Sequence, residues 1–171
     1  MSKHQIKVAY QLNYDYPLFL FFIIEFHLLY IILFNMIKSE TKIRVRYGET
    51  DQMGYAYYGI YAQYYEVGRV EAMRSIGLSY RQVEEKGILM PVVDFSINYR
   101  KPAYYDDEVT VVAMIRQMPT GLRLPFDYEC RNSAGEIINT GHVTLVCLDK
   151  NTNKMCRIPD WFQSAMAPYF R

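Results

Sequence analysis

Histidine is nearly absent from the working part of this chain: of three in 171 residues, only His142 follows Met36. A Ser-His-Asp or Cys-His hydrolase would have to be built on that one ring, and no Gly-x-Ser-x-Gly elbow is there to present a serine. His142 therefore reads as a half-buried strand residue, because a histidine site needs partners the sequence does not display. Cysteine is scarce too. Cys130, Cys147 and Cys156 are odd in number and widely spaced, with no Cys-x-x-Cys pair. That spacing argues against a zinc ribbon or a dithiol motif and fits a reducing cytoplasm. There is no Gly-x-Gly-x-x-Gly, no Gly-Lys-Thr phosphate loop and no cluster of ligands at metal spacing, so neither cofactor nor metal is expected. The net charge is only +1 and no run of Lys or Arg stands out, so nucleic acid is not an expected partner.

What the chain does have is apolar residues, 51% against 22% charged. That is enough to bury one core, and the length fits one domain. Residues 1–40 form an extension distinct from a domain over 41–171. Within it, Pro17 to Phe34 is almost wholly apolar but carries Glu25 and His27 near its middle. A spanning helix would hold that charge at a cost of a few kcal/mol, which argues against a membrane partner. No small-residue cleavage site follows, as a signal peptide requires. Three readings stay open: translation that truly starts at Met36, a membrane anchor, or a packed helical extension.

From Lys42 onward the periods are clear. Ile43, Val45 and Tyr47 alternate with charged residues, predicting a half-buried strand. Tyr57 to Ile76 places Tyr57, Tyr61, Tyr64, Tyr65, Gly68, Ala72, Met73 and Ile76 at spacings of three and four, predicting a long helix ended by Gly77. A shorter helix over Ser79 to Glu85 has Ser79 as N-cap and Gly87 as a stop. Four strands follow: Val93 to Tyr99, Val109 to Ile115, Leu122 to Tyr128, and Ile137 to Leu148. Asn132 to Gly135 turns the last two into a hairpin, and Pro125 marks an edge or a bulge. The order argues an α+β fold in which a curved antiparallel sheet wraps one helix.

The candidate chemistry lies just before the long helix, at Glu49, Thr50 and Asp51, followed by Gly54. Asp51 could be a simple N-cap. It stands several residues ahead of the first turn, however, which would leave the helix amides free to bind an oxygen on which charge develops. A carboxylate facing such amides is a hydrolytic arrangement, with Asp51 attacking a carbonyl or activating water.

The string Arg46-Tyr47-Gly48-Glu49-Thr50-Asp51-Gln52-Met53-Gly54, with Tyr57, Tyr58, Tyr61, Tyr65, Glu66 and Arg69 behind it, resembles the signature of the 4-hydroxybenzoyl-CoA thioesterase family of hot-dog proteins. The segments Asp94 to Ala103 and Thr144 to Asp149 match that family's habits as well. The likeness runs from Lys42 to Pro159 and does not include the extension. It implies an acyl-CoA thioesterase with Asp51 as the catalytic carboxylate and the backbone N–H of Tyr58, helped by that of Gly59, as oxyanion donors. It also implies a homo-oligomer, a dimer or a tetramer, with acyl-CoA across the subunit boundary. Arg100 and Lys101 fall where they could meet CoA phosphates, or stand as solvated charges at a strand end. Glu66, three residues before Arg69, is either half of a surface ion pair or a second carboxylate of the site. Many relatives carry His at the place of Tyr58 and Asn near Ile60, so the acyl pocket here is expected to be more aromatic. Three alternatives stay open: an acyl carrier protein thioesterase, a non-catalytic acyl-CoA-binding module, and a hot-dog dehydratase. The dehydratase needs a histidine near the helix start, and there is none.

Overall fold

The structure, a computed structural model, describes residues 35–170. The apolar stretch Pro17 to Phe34, and with it the three readings of the extension, lies outside the described residues. Among the described residues, no helix is long and apolar enough to cross a membrane.

Seven strands form one antiparallel sheet: β1 Ile37–Arg44, β2 Ile88–Leu89, β3 Val92–Tyr99, β4 Glu108–Ile115, β5 Arg123–Arg131, β6 Ile137–Asp149 and β7 Met155–Cys156. The order across it is β1-β4-β5-β6, with β2, β3 and β7 all paired to the long β6. The helices are α1 Tyr61–Ser75, α2 Tyr80–Glu85 and α3 Asp160–Met166. This is the α+β arrangement that the pattern of one long helix and a run of alternating strands predicted, and the hot-dog fold that the family resemblance implied. β1 starts at Ile37, earlier than its expected start at Lys42 and inside the segment read as extension.

α1 lies across β1 and β4 and reaches the strands beyond. Its buried face is Tyr61, Tyr64, Tyr65, Gly68, Ala72 and Met73, the face the spacing predicted. The Tyr65 ring stacks on Tyr128 of β5 with centroids 4.2 Å apart, and it also covers Gly141 of β6 so closely that a Cβ there would lie 2.4 Å from the ring. Gly68 brings the helix against β4, where a Cβ would meet Val111 at 2.8 Å. Gly77, at φ 79°, ends the helical run. The Ser79 hydroxyl then caps α2 by accepting the Gln82 N–H.

Two expectations need correction. Tyr47 does not continue the inward face of β1; it is 80% exposed, because the strand ends at Arg44 and the chain turns through a 3-10 segment over Tyr47–Glu49. The long helix begins at Tyr61 rather than Tyr57. Tyr57 has extended backbone angles and is the N-cap of a 3-10 turn, Tyr58–Ile60, that leads into α1. Pro125 lies in a central strand yet still at an edge. Pairing of β5 with β4 stops at Asp127, so at Pro125 only the β6 side carries a ladder.

β3, like β1, is an edge strand. It pairs with β6 alone, and its large side chains are exposed, Val93 by 49% and Phe95 by 42%. The alternation read from its sequence therefore does not bury one of its faces within this chain.

Candidate active site

Asp51 stands in a tight loop and caps no helix. Its Oδ1 accepts the N–H of Met53 at 2.8 Å, its own N–H donates to Tyr55 O at 3.1 Å, and Gly54 N–H donates to Asp51 O at 2.9 Å. Gly54 holds φ at 81°, which glycine reaches without steric cost. Neither the 3-10 turn nor α1 has a side-chain cap, so the capping role weighed for Asp51 is not the one it plays.

The helix is entered through two backbone bonds. Tyr57 N–H donates to Glu49 O at 2.8 Å, and Ile60 N–H donates to Tyr57 O at 2.9 Å. The N–H groups of Tyr58 and Gly59 lie in the first turn, where no earlier helical carbonyl exists to accept them. They carry the positive end of the helix dipole. Asp51 and Tyr58 border one cavity of about 400 Å³, together with Tyr55, Tyr61, Tyr99 and Arg100. A Cβ at Gly59 would lie 2.7 Å from the Tyr57 ring, so a glycine there lets that ring fold over the turn. The wall is aromatic, as expected from the departure at Tyr58. Burial pushes the Tyr61 phenol up to about 12, and it stays neutral.

Arg100 and Lys101 both border this cavity. Lys101 Nζ is 2.6 Å from Glu136 Oε1, while the exposed Arg100 guanidinium makes no ion pair among the described residues. Glu66 is elsewhere. It lies exposed in a second groove beside Val92 and Phe95, so one protomer does not bring it to Asp51. The predicted Glu66–Arg69 pair does not form. Arg69 turns inward, is 7% exposed, and donates from Nε to the Tyr80 hydroxyl at 2.6 Å. His142 is half-buried on its strand, 2.8 Å from Asp127 Oδ1 and 3.0 Å from Thr144 Oγ1.

The sequence reading named Glu49 only beside Asp51 and Tyr99 only as a strand residue; the fold gives each a partner that reading did not foresee. Glu49, only 6% exposed, accepts the Arg46 backbone N–H at 2.8 Å, the Arg46 Nε at 2.7 Å, and the Tyr64 hydroxyl at 2.7 Å. Burial alone would raise this carboxyl, but the hydrogen bonds from Arg46 and Tyr64 outweigh it and hold Glu49 below the ordinary carboxylate range. The spacing Arg46-x-x-Glu49 was the available signal. Tyr99, from β3, donates its hydroxyl to Tyr58 O at 2.8 Å. Among the described residues, no group of three or more His, Cys, Asp or Glu could hold a metal ion.

The sequence profile of the thioesterase-like superfamily matches residues 45–166. YneP of Bacillus subtilis, whose name proposes an acyl-CoA thioesterase, is 37% identical over 127 residues, which is 72% of this chain and 91% of that protein. The long-chain acyl-CoA thioesterase FadM of Escherichia coli is 24% identical over 115 residues, 67% of this chain and 86% of that one. The crystal structure of DHNA-CoA thioesterase from Staphylococcus aureus superposes with a TM-score of 0.72 at 36% identity, covering 77% of this chain and 88% of that one.

Proposed function

Because the chain belongs to the thioesterase-like superfamily, we propose that it hydrolyses acyl-CoA to the free acid and CoA at the cavity shared by Asp51 and Tyr58. One observation carries this reading. The Asp51 carboxylate is tied to its own turn and borders the same cavity as the first turn of the helix, where the amides are not capped. A thioester carbonyl in that cavity has a carboxylate on one side and N–H donors on the other. The N–H groups of Tyr58 and Gly59 take the negative charge of the tetrahedral intermediate, worth roughly 3 to 4 kcal/mol per donor in measured cases. Asp51 either adds to the carbonyl carbon or takes the proton of a water that does so. The C–S bond then breaks and CoA leaves as its thiolate, giving the free acid at once on the water route and, on the direct route, an acyl anhydride with Asp51 that a water hydrolyses to the acid and the free carboxylate. Arg100, with no ion pair among the described residues, is the cation that meets a CoA phosphate; Lys101 joins it by giving up Glu136.

The working unit is a homo-oligomer of this chain. Support comes from β3, whose outer backbone groups have no ladder partner among the described residues and whose Val93, Phe95 and Tyr99 are exposed. A second copy pairing along that edge covers both. The three unpaired cysteines, two of them buried, suit a reducing, cytoplasmic setting.

The test is hydrolysis of a panel of aromatic, short-chain and long-chain acyl-CoAs by wild type and Asp51→Asn. Asp51→Asn loses at least ~100-fold in kcat on the best substrate while its melting temperature stays put. Equal rates in the two proteins would remove Asp51 from the chemistry, and loss in Glu66→Gln instead would move the essential carboxylate to α1. Binding without turnover in wild type would make this a carrier or sensor of acyl-CoA.

A further inference from the structure

The oxyanion turn is held from outside by a side chain of another element. Tyr99, near the end of β3, donates its hydroxyl to the carbonyl oxygen of Tyr58 at 2.8 Å. That oxygen shares a planar trans peptide with the N–H of Gly59, which points the opposite way. Fixing one end of the unit therefore aims the other. Tyr57, one peptide earlier, is fixed by the chain itself, through Ile60 N–H to its carbonyl and its own N–H to Glu49 O. The peptide between Tyr58 and Gly59 has the Tyr99 hydroxyl as its tether to the sheet. We propose that Tyr99 is a positioning residue for hydrolysis: through its hydroxyl it aims and polarises the peptide whose N–H, at Gly59, receives the developing oxyanion.

Three features fit that role. Tyr99 borders the same cavity as Asp51 and Tyr58, so its hydroxyl acts where the substrate sits. Its ring packs edge-on against Tyr61 at 5.7 Å, which fixes the hydroxyl independently of the bond it makes. A hydrogen bond received by a carbonyl also strengthens the N–H of the same peptide unit as a donor, by about 10–30% in condensed-phase estimates. Tyr99 stays a donor over the working range because a phenol keeps its proton well past neutral pH.

The inference rests on the proposed oxyanion role of the helix amides, and Tyr99→Phe tests it apart from that role. Phe keeps the ring and its contact with Tyr61 and removes only the hydroxyl. Run on the acyl-CoA that wild type turns over fastest, Tyr99→Phe lowers kcat about tenfold and leaves KM within about twofold, the split expected when an interaction serves the transition state alone. Two CoA probes read the aim directly. A trifluoromethyl-ketone analogue, which adds a nucleophile to give a tetrahedral oxyanion, binds Tyr99→Phe more weakly by the same factor as kcat falls. An S-hexyl-CoA thioether, which has no carbonyl, binds both proteins equally. Loss of affinity for the thioether together with a lower melting temperature would make Tyr99 merely a packing residue and overturn the proposal. So would unchanged kcat and unchanged ketone affinity. If Asp51→Asn in the same assay is as active as wild type, the hydrolytic reading itself fails; if Asp51→Asn is inactive and Tyr99→Phe is normal, only the aiming role is lost.

Discussion

Replacing Tyr64 by Phe removes one hydroxyl from the buried face of α1 and leaves the Glu49 carboxylate short of a donor where water cannot reach it. Tyr64 is 2% exposed and its hydroxyl lies 2.7 Å from Glu49 Oε2. Hydrogen bonds to charged groups contribute about 1.5–3 kcal/mol. Glu49 keeps the Arg46 bonds, from the backbone N–H at 2.8 Å and Nε at 2.7 Å, so the lower half of that range applies, about 1.5–2 kcal/mol. For a domain of this size that lowers the melting midpoint by about 3–8 °C. In urea it shifts the midpoint without changing the slope, because the surface exposed on unfolding is unchanged.

The same variant has a pH signature. In the fold the Glu49 carboxyl lies below its ordinary value, so its ionised form contributes stability above the unfolded-state pKa. That contribution is lost as pH falls through the lower, folded value. Tyr64 is one of the donors that depress it, so wild type and Tyr64→Phe differ most near neutrality and converge at acid pH. A neutral carboxylic acid still accepts a phenol hydrogen bond, so a smaller gap of about 1 kcal/mol remains. Urea melts at about pH 7 and at the lowest pH at which both proteins stay folded, below the ordinary carboxylate range, measure it. A midpoint unchanged by the substitution, or a gap of the same size at both pH values, refutes the reasoning.

Two further perturbations read other parts of the structure. Gly141→Ala places a Cβ 2.4 Å from the Tyr65 ring, which cannot retreat because it stacks on Tyr128 and bonds Asn139 at 2.6 Å; the loss should be about 1–3 kcal/mol by chemical denaturation, and a neutral result would mean the ring is free to move. Phe95→Glu, at an exposed position on the open edge of the sheet, should turn the oligomer into folded monomers by light scattering, and an unchanged mass would place the interface elsewhere.

Much of the fold was legible because its long elements carry their periods openly. The buried face of α1 and the alternation of β5 emerge as the spacing predicts, whereas β4 and β6 are buried on both faces over residues 111–115 and 143–147. What was missed is short. β2 and β7 are two residues each, too few for any period, and α3, with seven, is barely two turns. The errors at Tyr47 and Tyr57 share one cause. Each extends a genuine period by one step past the point where the chain turns, and in both cases the turn is set by Glu49. Its carboxylate takes the inward position that the period assigned to Tyr47, and its carbonyl takes the Tyr57 N–H that would otherwise begin the helix.

The candidate site divides along the same line. Asp51, Tyr58, Gly59, Arg100 and Lys101 could be proposed from the sequence because each carries its candidate chemistry locally: a charge, or an amide at a helix start. Glu49 and Tyr99 act only in relation to residues elsewhere. The bond from Tyr99 to Tyr58 depends on β3 lying in register with β6, where Tyr99 stands opposite Asn139; a slip of one residue would turn the ring to the other face of the sheet. Arg69 shows the converse. Its spacing from Glu66 is right for an ion pair, but burial in the fold offers it the Tyr80 hydroxyl instead, and an exposed pair worth a few tenths of a kcal/mol does not compete with that contact. The residues that aim a site are therefore harder to read than those that perform its chemistry, because register and burial, which no single segment encodes, decide what they touch.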